Sequence, residues 1–286
     1  MELTDELRAR RIALPGRGGS LAALDFGSPE RPIDIVFLHA NGFNARTYRS
    51  ILAPLAEHLR ILAVDQRGHG HTDLPAQPDG RAGWDDFTDD LLALLDQENL
   101  RNVVLAGHSM GGAVSLLAAE RSDRARELVL FDPVIPNPSA PAPSDGGFLP
   151  DAARKRRAVF PSRAAAVEAY TGRGAFRTWP REMLEDYVAD GFAPRSDGEV
   201  ELACAPAWEA SNFAAQANET WRALLRIEIP VQIFRADHGS TFRIEGREAE
   251  LAASDHVRVK TMPGSTHFLP MEQPDLVRAA LRAAAG

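Results

Sequence analysis

Short, almost continuous apolar runs alternate along the chain with stretches of helical period. Ile33-Asp34-Ile35-Val36-Phe37-Leu38 is too apolar for a strand with one wetted face, and it predicts a strand buried on both sides. Arg60–Val64, Asn102–Ala106 and Leu128–Phe131 repeat the pattern. Between them, Phe87, Leu91, Leu94 and Leu95 put one apolar stripe on a helix over Asp86–Gln97. Further helices are predicted near Ala45–His58 and over Met110–Glu120, and Arg11–Leu14 with Ser20–Phe26 reads as an opening hairpin. This alternation predicts an α/β protein: a mostly parallel central sheet flanked by helices.

The rhythm breaks once. Pro133, Pro136, Pro138, Pro141 and Pro143 punctuate a connection that ends in Asp145-Gly146-Gly147. From Phe148 to Leu225 the pattern is helical and rich in aromatic residues. Strand and helix then alternate again through Val231–Arg235, Arg247–Ala253, His256–Met262 and a last helix opening at Pro274. The expected organisation is a core of residues 1–134 and 226–286, with a mostly helical unit, 135–225, inserted after the sixth strand.

Composition narrows the partners. At 286 residues the chain suits one large domain with an insertion, and its net charge of −8 argues against nucleic acid or an anionic membrane as partner. No secretory apolar segment follows Met1 and no run is long enough to span a membrane, so a cytoplasmic location is expected. Cys204, the single cysteine, excludes an internal disulfide and is expected to be a small buried or half-buried residue. The basic run Arg154-Lys155-Arg156-Arg157 is expected to be a solvated helix face.

The chemistry concentrates at Ala106–Ala113, AGHSMGGA. Gly107-His108-Ser109-Met110-Gly111 is G-x-S-x-G between a predicted strand and a predicted helix, the nucleophile elbow. The turn is so sharp that flanking side chains would collide with neighbouring backbone. A serine hydroxyl is a weak nucleophile near neutral pH and needs a base. His267, in the loop between the last strand and last helix, falls at the same sheet edge. The oxyanion formed on attack needs two donors. The expected ones are the backbone N–H groups of Met110 and of Asn41, with Gly42 supplying the turn.

Four segments in order resemble the α/β-hydrolase superfamily: "FLHANGF", "VDQRGHGHTD", "GHSMGG" and "GSTHFLPMEQP". The resemblance spans nearly the whole chain and implies that the aromatic insertion is the family's helical cap. His39, together with Trp179, Tyr187 and Trp208 of the insertion, is expected to line the substrate pocket. The resemblance also implies that His39, His69 and His71 shape loops, so no metal and no cofactor are expected. The acid that orients His267 is open at this stage. The family's usual place, after the penultimate strand, holds Arg235-Ala236-Asp237-His238-Gly239, with glycine where an acid is expected. Asp132, after the sixth strand, is the preferred candidate and Asp237 the alternative. The expected function is hydrolysis of a small-molecule carboxylic ester or lactone through a Ser-His-Asp triad. The alternatives are a carbon–carbon bond hydrolase, a perhydrolase, an acyltransferase, or a ligand-binding receptor with little turnover.

Overall fold

The computed structural model describes residues 7–139 and 148–286. Pro141, Pro143 and the Asp145-Gly146-Gly147 turn lie outside the described residues. The apolar runs form β1 (Leu7–Leu14), β2 (Gly19–Phe26), β3 (Ile35–Leu38), β4 (Ile61–Asp65), β5 (Val103–His108) and β6 (Ala125–Phe131). After the insertion they resume as β10 (Val231–Ala236) and β11 (Val257–Met262). The eight make one sheet in the order β1-β2-β4-β3-β5-β6-β10-β11, antiparallel only at β1–β2 and β2–β4. The mostly parallel sheet is as expected from the pattern.

Alternate residues of each buried strand feed two separate cores. Val36 and Leu38 of β3 enter one, with Val64, Leu105 and Leu130, and Ile35 and Phe37 enter the other, with Ala63, Ala106 and Phe131. Helices α2 (Asp85–Gln97) and α3 (Met110–Glu120) close the first face, and α1 (Arg49–Leu52) and α11 (Pro274–Ala285) close the second. α9 (Glu248–Ala252) and α10 (Leu269–Glu272) fill the later connections.

Local departures from the pattern have physical causes. β1 begins at Leu7, four residues early, because Arg8 and Arg10 converge with Arg60 on the buried Asp25 carboxylate. The helix expected at Ala45–His58 is three short pieces. A 3-10 turn at Ala45–Tyr48, capped by the Asn44 side chain, leads into α1, and a second at Ala53–Leu55 carries Pro54.

The insertion holds α4 (Phe148–Arg154), α5 (Arg163–Tyr170), α6 (Arg181–Gly191), α7 (Pro206–Ala214) and α8 (Thr220–Arg226). It also holds a small sheet, β7 (Val159–Phe160), β9 (Val200–Leu202) and β8 (Phe192–Pro194), which the sequence reading did not anticipate. Strands of two or three residues are too short to register as a period. α8 packs on α3 and places Trp221, Ala223 and Leu224 in the first core, so the chain returns to the sheet layers before residue 226.

Candidate active site

Ser109 is the single residue between the end of β5 and the start of α3. Its φ of 56° and ψ of −120° place a non-glycine residue in the left-handed half of backbone space. The turn is held by the Ser109 N–H, which donates to the Phe131 carbonyl at 3.1 Å. The flanking glycines are needed for space. A Cβ on Gly107 would lie 2.5 Å from the Gly111 carbonyl carbon, and one on Gly111 would lie 2.6 Å from the His39 carbonyl oxygen.

The C-terminal sheet edge then brings three side chains into line. His267 Nε2 lies 2.9 Å from Ser109 Oγ, and His267 Nδ1 lies 2.6 Å from Asp132 Oδ2. Asp132 follows β6 with φ 41° and is fully buried. Its Oδ1 accepts from the Ala236 N–H at 2.8 Å and the Ser240 hydroxyl at 2.5 Å, and its Oδ2 also accepts from the Thr241 N–H at 3.0 Å. Burial alone would raise the carboxyl pKa. Its hydrogen bond to His267 and the donors from Ser240 and Ala236 overcome that and hold it at about 2. An ionised carboxylate on Nδ1 fixes the neutral imidazole with Nδ1–H donating and Nε2 accepting toward the serine hydroxyl. Asp237 does not share this site. Its carboxylate accepts from the Gly264 N–H at 3.0 Å and lies 3.6 Å from His238.

The sequence points to two backbone N–H groups as oxyanion donors, those of Met110 and Asn41. Met110 opens α3, so its N–H has no carbonyl within the helix. The Asn41 N–H has no hydrogen-bond partner among the described residues. The Asn41 side chain is clamped by the insertion, donating to the Glu209 carbonyl at 3.0 Å and accepting from Asn212 Nδ2 at 2.8 Å. Gly42, with φ 76°, makes the turn, and its N–H donates to His69 Nε2 at 3.0 Å.

A further chain of hydrogen bonds, absent from the sequence reading, ties these segments together. The Ala40 N–H donates to the Tyr48 hydroxyl at 3.2 Å, and that hydroxyl lies 2.8 Å from His108 Nδ1. His108 Nε2 lies 2.7 Å from the His267 carbonyl oxygen, which can only accept, so Nε2 carries the proton and Tyr48 donates to Nδ1. Burial and the neighbouring His267 push the His108 pKa down to about 3, so the ring stays neutral. The Asn41 segment, the elbow and the His267 loop are thereby fastened through one buried imidazole.

The residues expected to line a pocket divide. Trp179 and Tyr187 pack on Phe43, two residues after Asn41, with ring centroids 5.0 and 5.8 Å away. His39 turns into the core. It is fully buried, its Nδ1 donates to the Ala40 carbonyl at 2.8 Å and its Nε2 accepts from the Gln66 N–H at 2.9 Å. Trp208 is also buried: its Nε1 donates to the Arg67 carbonyl at 2.9 Å and Arg81 lies 4.1 Å over its ring. The basic run is not simply a solvated face, because Arg156 pairs with the buried Glu209 at 2.5 Å and donates to the Tyr187 hydroxyl at 2.8 Å. Cys204 is buried, as expected. Among the described residues no group of three or more His, Cys, Asp or Glu side chains is arranged to hold a metal ion, and no helix is long and apolar enough to cross a membrane.

Known proteins share this arrangement of chain. A 2-(acetamidomethylene)succinate hydrolase of Mesorhizobium japonicum is 25% identical over 256 residues, covering 86% of each chain. The crystal structure of an E-2-(acetamidomethylene)succinate hydrolase superposes with a TM-score of 0.80 at 22% identity, covering 97% of this chain and 98% of the other. The thioesterase domain from the curacin biosynthetic pathway does so with a TM-score of 0.78 at 18% identity, covering 97% and 100%. These two likenesses speak for the fold alone. The family profile described as the alpha/beta hydrolase family matches residues 35–280, from the first residue of β3 into the last helix. With the sheet order and the strand–serine–helix turn of that fold both present, the chain belongs to the alpha/beta hydrolase family.

Proposed function

We propose that this protein is a serine hydrolase that cleaves a small-molecule carboxylic ester or lactone through an acyl-enzyme. One observation carries the reading: the unbroken run from Ser109 Oγ through the His267 ring to the buried Asp132 carboxylate, at 2.9 and 2.6 Å. Ser109 attacks the acyl carbon as His267 Nε2 takes its proton. Asp132 holds the ring in the required tautomer and stabilises the imidazolium. The Asn41 and Met110 N–H groups receive the negative charge that develops on the carbonyl oxygen. His267 then protonates the leaving alcohol, activates water and regenerates Ser109. The insertion acts as the cap, and its contribution to the pocket is the aromatic wall of Trp179 and Tyr187 against Phe43.

The same geometry serves acyl transfer to acceptors other than water, and a receptor that binds without turnover would keep the same fold. A panel of 4-nitrophenyl esters and aliphatic lactones of graded chain length separates these readings. Steady hydrolysis by the wild type and its loss in Ser109→Ala support the proposal. Product that accumulates only with an added alcohol or peroxide acceptor favours a transferase or perhydrolase, and no turnover with any member refutes ester hydrolysis.

A further inference from the structure

Trp179 differs from the other tryptophans in what its ring touches and in what its N–H lacks. The indole packs edge-on against Phe43 at 5.0 Å between centroids and lies 6.0 Å from Phe268. Phe43 follows the Asn41-Gly42 turn, and Phe268 follows His267. The ring therefore wedges between the segment that carries one candidate oxyanion donor and the segment that carries the base. Trp179 is 8% exposed, yet its Nε1–H has no acceptor among the described residues. The other three tryptophans all donate: Trp84 to the Asn212 carbonyl, Trp208 to the Arg67 carbonyl and Trp221 to Glu250.

A buried donor without a partner is costly, which makes this one a feature to be accounted for. Its surroundings say what would satisfy it. Phe43, Phe176, Tyr187 and Phe268 present ring faces and edges to the indole, so a substrate chain reaching the N–H would meet apolar surface. The cation on this wall, Arg156, is already paired with Glu209 and with the Tyr187 hydroxyl. A substrate carboxylate would need a counter-charge, and Arg156 is already committed to Glu209, whereas a neutral oxygen would need only the indole N–H.

We infer, on the reading of the site given above, that Trp179 is a specificity-determining donor and that the acyl chain of the substrate is uncharged, apolar and interrupted by one accepting oxygen, a ketone. Phe43 stands two residues from Asn41 and Phe268 follows His267, which sets the indole beside the candidate oxyanion donor and the base; on this inference the acyl chain, rather than the leaving group, lies against it. A site built around a donor rejects the isostere that lacks the acceptor more strongly than an apolar pocket rejects a missing methylene.

The test uses three pairs of 4-nitrophenyl esters: 4-oxopentanoate with pentanoate, 5-oxohexanoate with hexanoate, and 6-oxoheptanoate with heptanoate. Each kcat/KM is divided by the rate of hydroxide-catalysed hydrolysis, which removes assistance by the ketone itself. The wild type should favour the keto ester of at least one pair by about tenfold or more. Trp179→Phe, which keeps an aromatic ring and removes the N–H, should collapse that ratio toward one, whatever loss is common to both esters. Ratios near one for every wild-type pair overturn the inference, as does a preference that survives in Trp179→Phe. Should Trp179→Phe fail to fold, Trp179→Leu, which also lacks the N–H, takes its place in the same comparison. The 4-nitroanilides of the same acids, titrated calorimetrically into Ser109→Ala with and without Trp179→Phe, measure the same selectivity as binding. Keto-selective binding without turnover of any ester would refute the hydrolase reading and leave the role of Trp179 standing, while ester turnover without keto selectivity would do the reverse.

Discussion

Replacing Asp132 by asparagine tests how the site handles charge. The carboxylate has two acceptor positions, and each already faces a backbone N–H: Ala236 on Oδ1 and Thr241 on Oδ2. An amide must turn its NH2 toward one of them. If it faces Oδ2's partners, it also opposes His267 Nδ1–H and drives the imidazole into the other tautomer, with Nε2 protonated toward Ser109. If it faces Oδ1's partners, it keeps an acceptor for His267 but cannot stabilise the imidazolium. Either way the expected kcat loss is about 10⁴-fold, or ~5 kcal/mol of transition-state stabilisation. The lost buried hydrogen bond should cost a further ~1–3 kcal/mol of folding stability. The pH dependence separates the two effects. The native carboxyl titrates at about 2 against an ordinary 3.8, so the stability it contributes is fully present above about pH 4 and is lost as pH falls through 2. The difference in unfolding free energy between wild type and Asp132→Asn should therefore shrink by ~2 kcal/mol across that window. The assay is hydrolysis of an activated ester at pH 7, alongside urea unfolding from pH 7 to pH 2. Asp237→Asn is the control and should stay within about threefold of wild type, because its carboxylate meets the Gly264 loop and His238 rather than His267. A well-folded Asp132→Asn with near-wild-type kcat, or an Asp237→Asn with the large loss, would refute the reasoning.

Three further outcomes follow from the same contacts. Tyr48→Phe removes the hydroxyl between the Ala40 N–H and His108 Nδ1; steady-state kinetics should show about a tenfold fall in kcat with little change in KM, and unfolding a cost of ~1–3 kcal/mol. Arg156→Met leaves Glu209, whose pKa burial already raises, without its partner. Urea melts should show a loss of ~3 kcal/mol at pH 7 that lessens as the pH falls and Glu209 protonates, and that Glu209→Gln largely restores. Trp208→Phe should lower stability by ~1–2 kcal/mol through the lost bond to the Arg67 carbonyl while leaving the chain-length profile of the ester panel unchanged; a shifted profile would place Trp208 at the pocket after all.

The sheet was legible in the sequence because burial on both faces makes β3, β4, β5 and β6 read as apolar runs. The elbow was legible because its geometry demands glycines at fixed offsets. The acid was not, since the deciding contacts are nonlocal: Asp132 and Asp237 differ in which loop turns toward His267. One signal was present. Ser240 and Thr241 stand just after the glycine at the usual acid position, and they supply hydroxyl and N–H donors to Asp132 instead. The His108–Tyr48 link and the Arg156–Glu209 pair join residues 60 and 53 positions apart, beyond the reach of any periodicity. His39 and Trp208 meet the same limit: residue type and position point to a pocket, whereas their hydrogen bonds run into the core.

Intact-mass spectrometry after brief treatment with a fluorophosphonate puts the central claim, an activated Ser109, to its most direct test. The wild type should take up one phosphonyl group within minutes, on the peptide that carries Ser109, and both Ser109→Ala and His267→Ala should remain unmodified over the same time. A folded wild-type protein that stays unlabelled, or a His267→Ala protein labelled as fast as wild type, would contradict it.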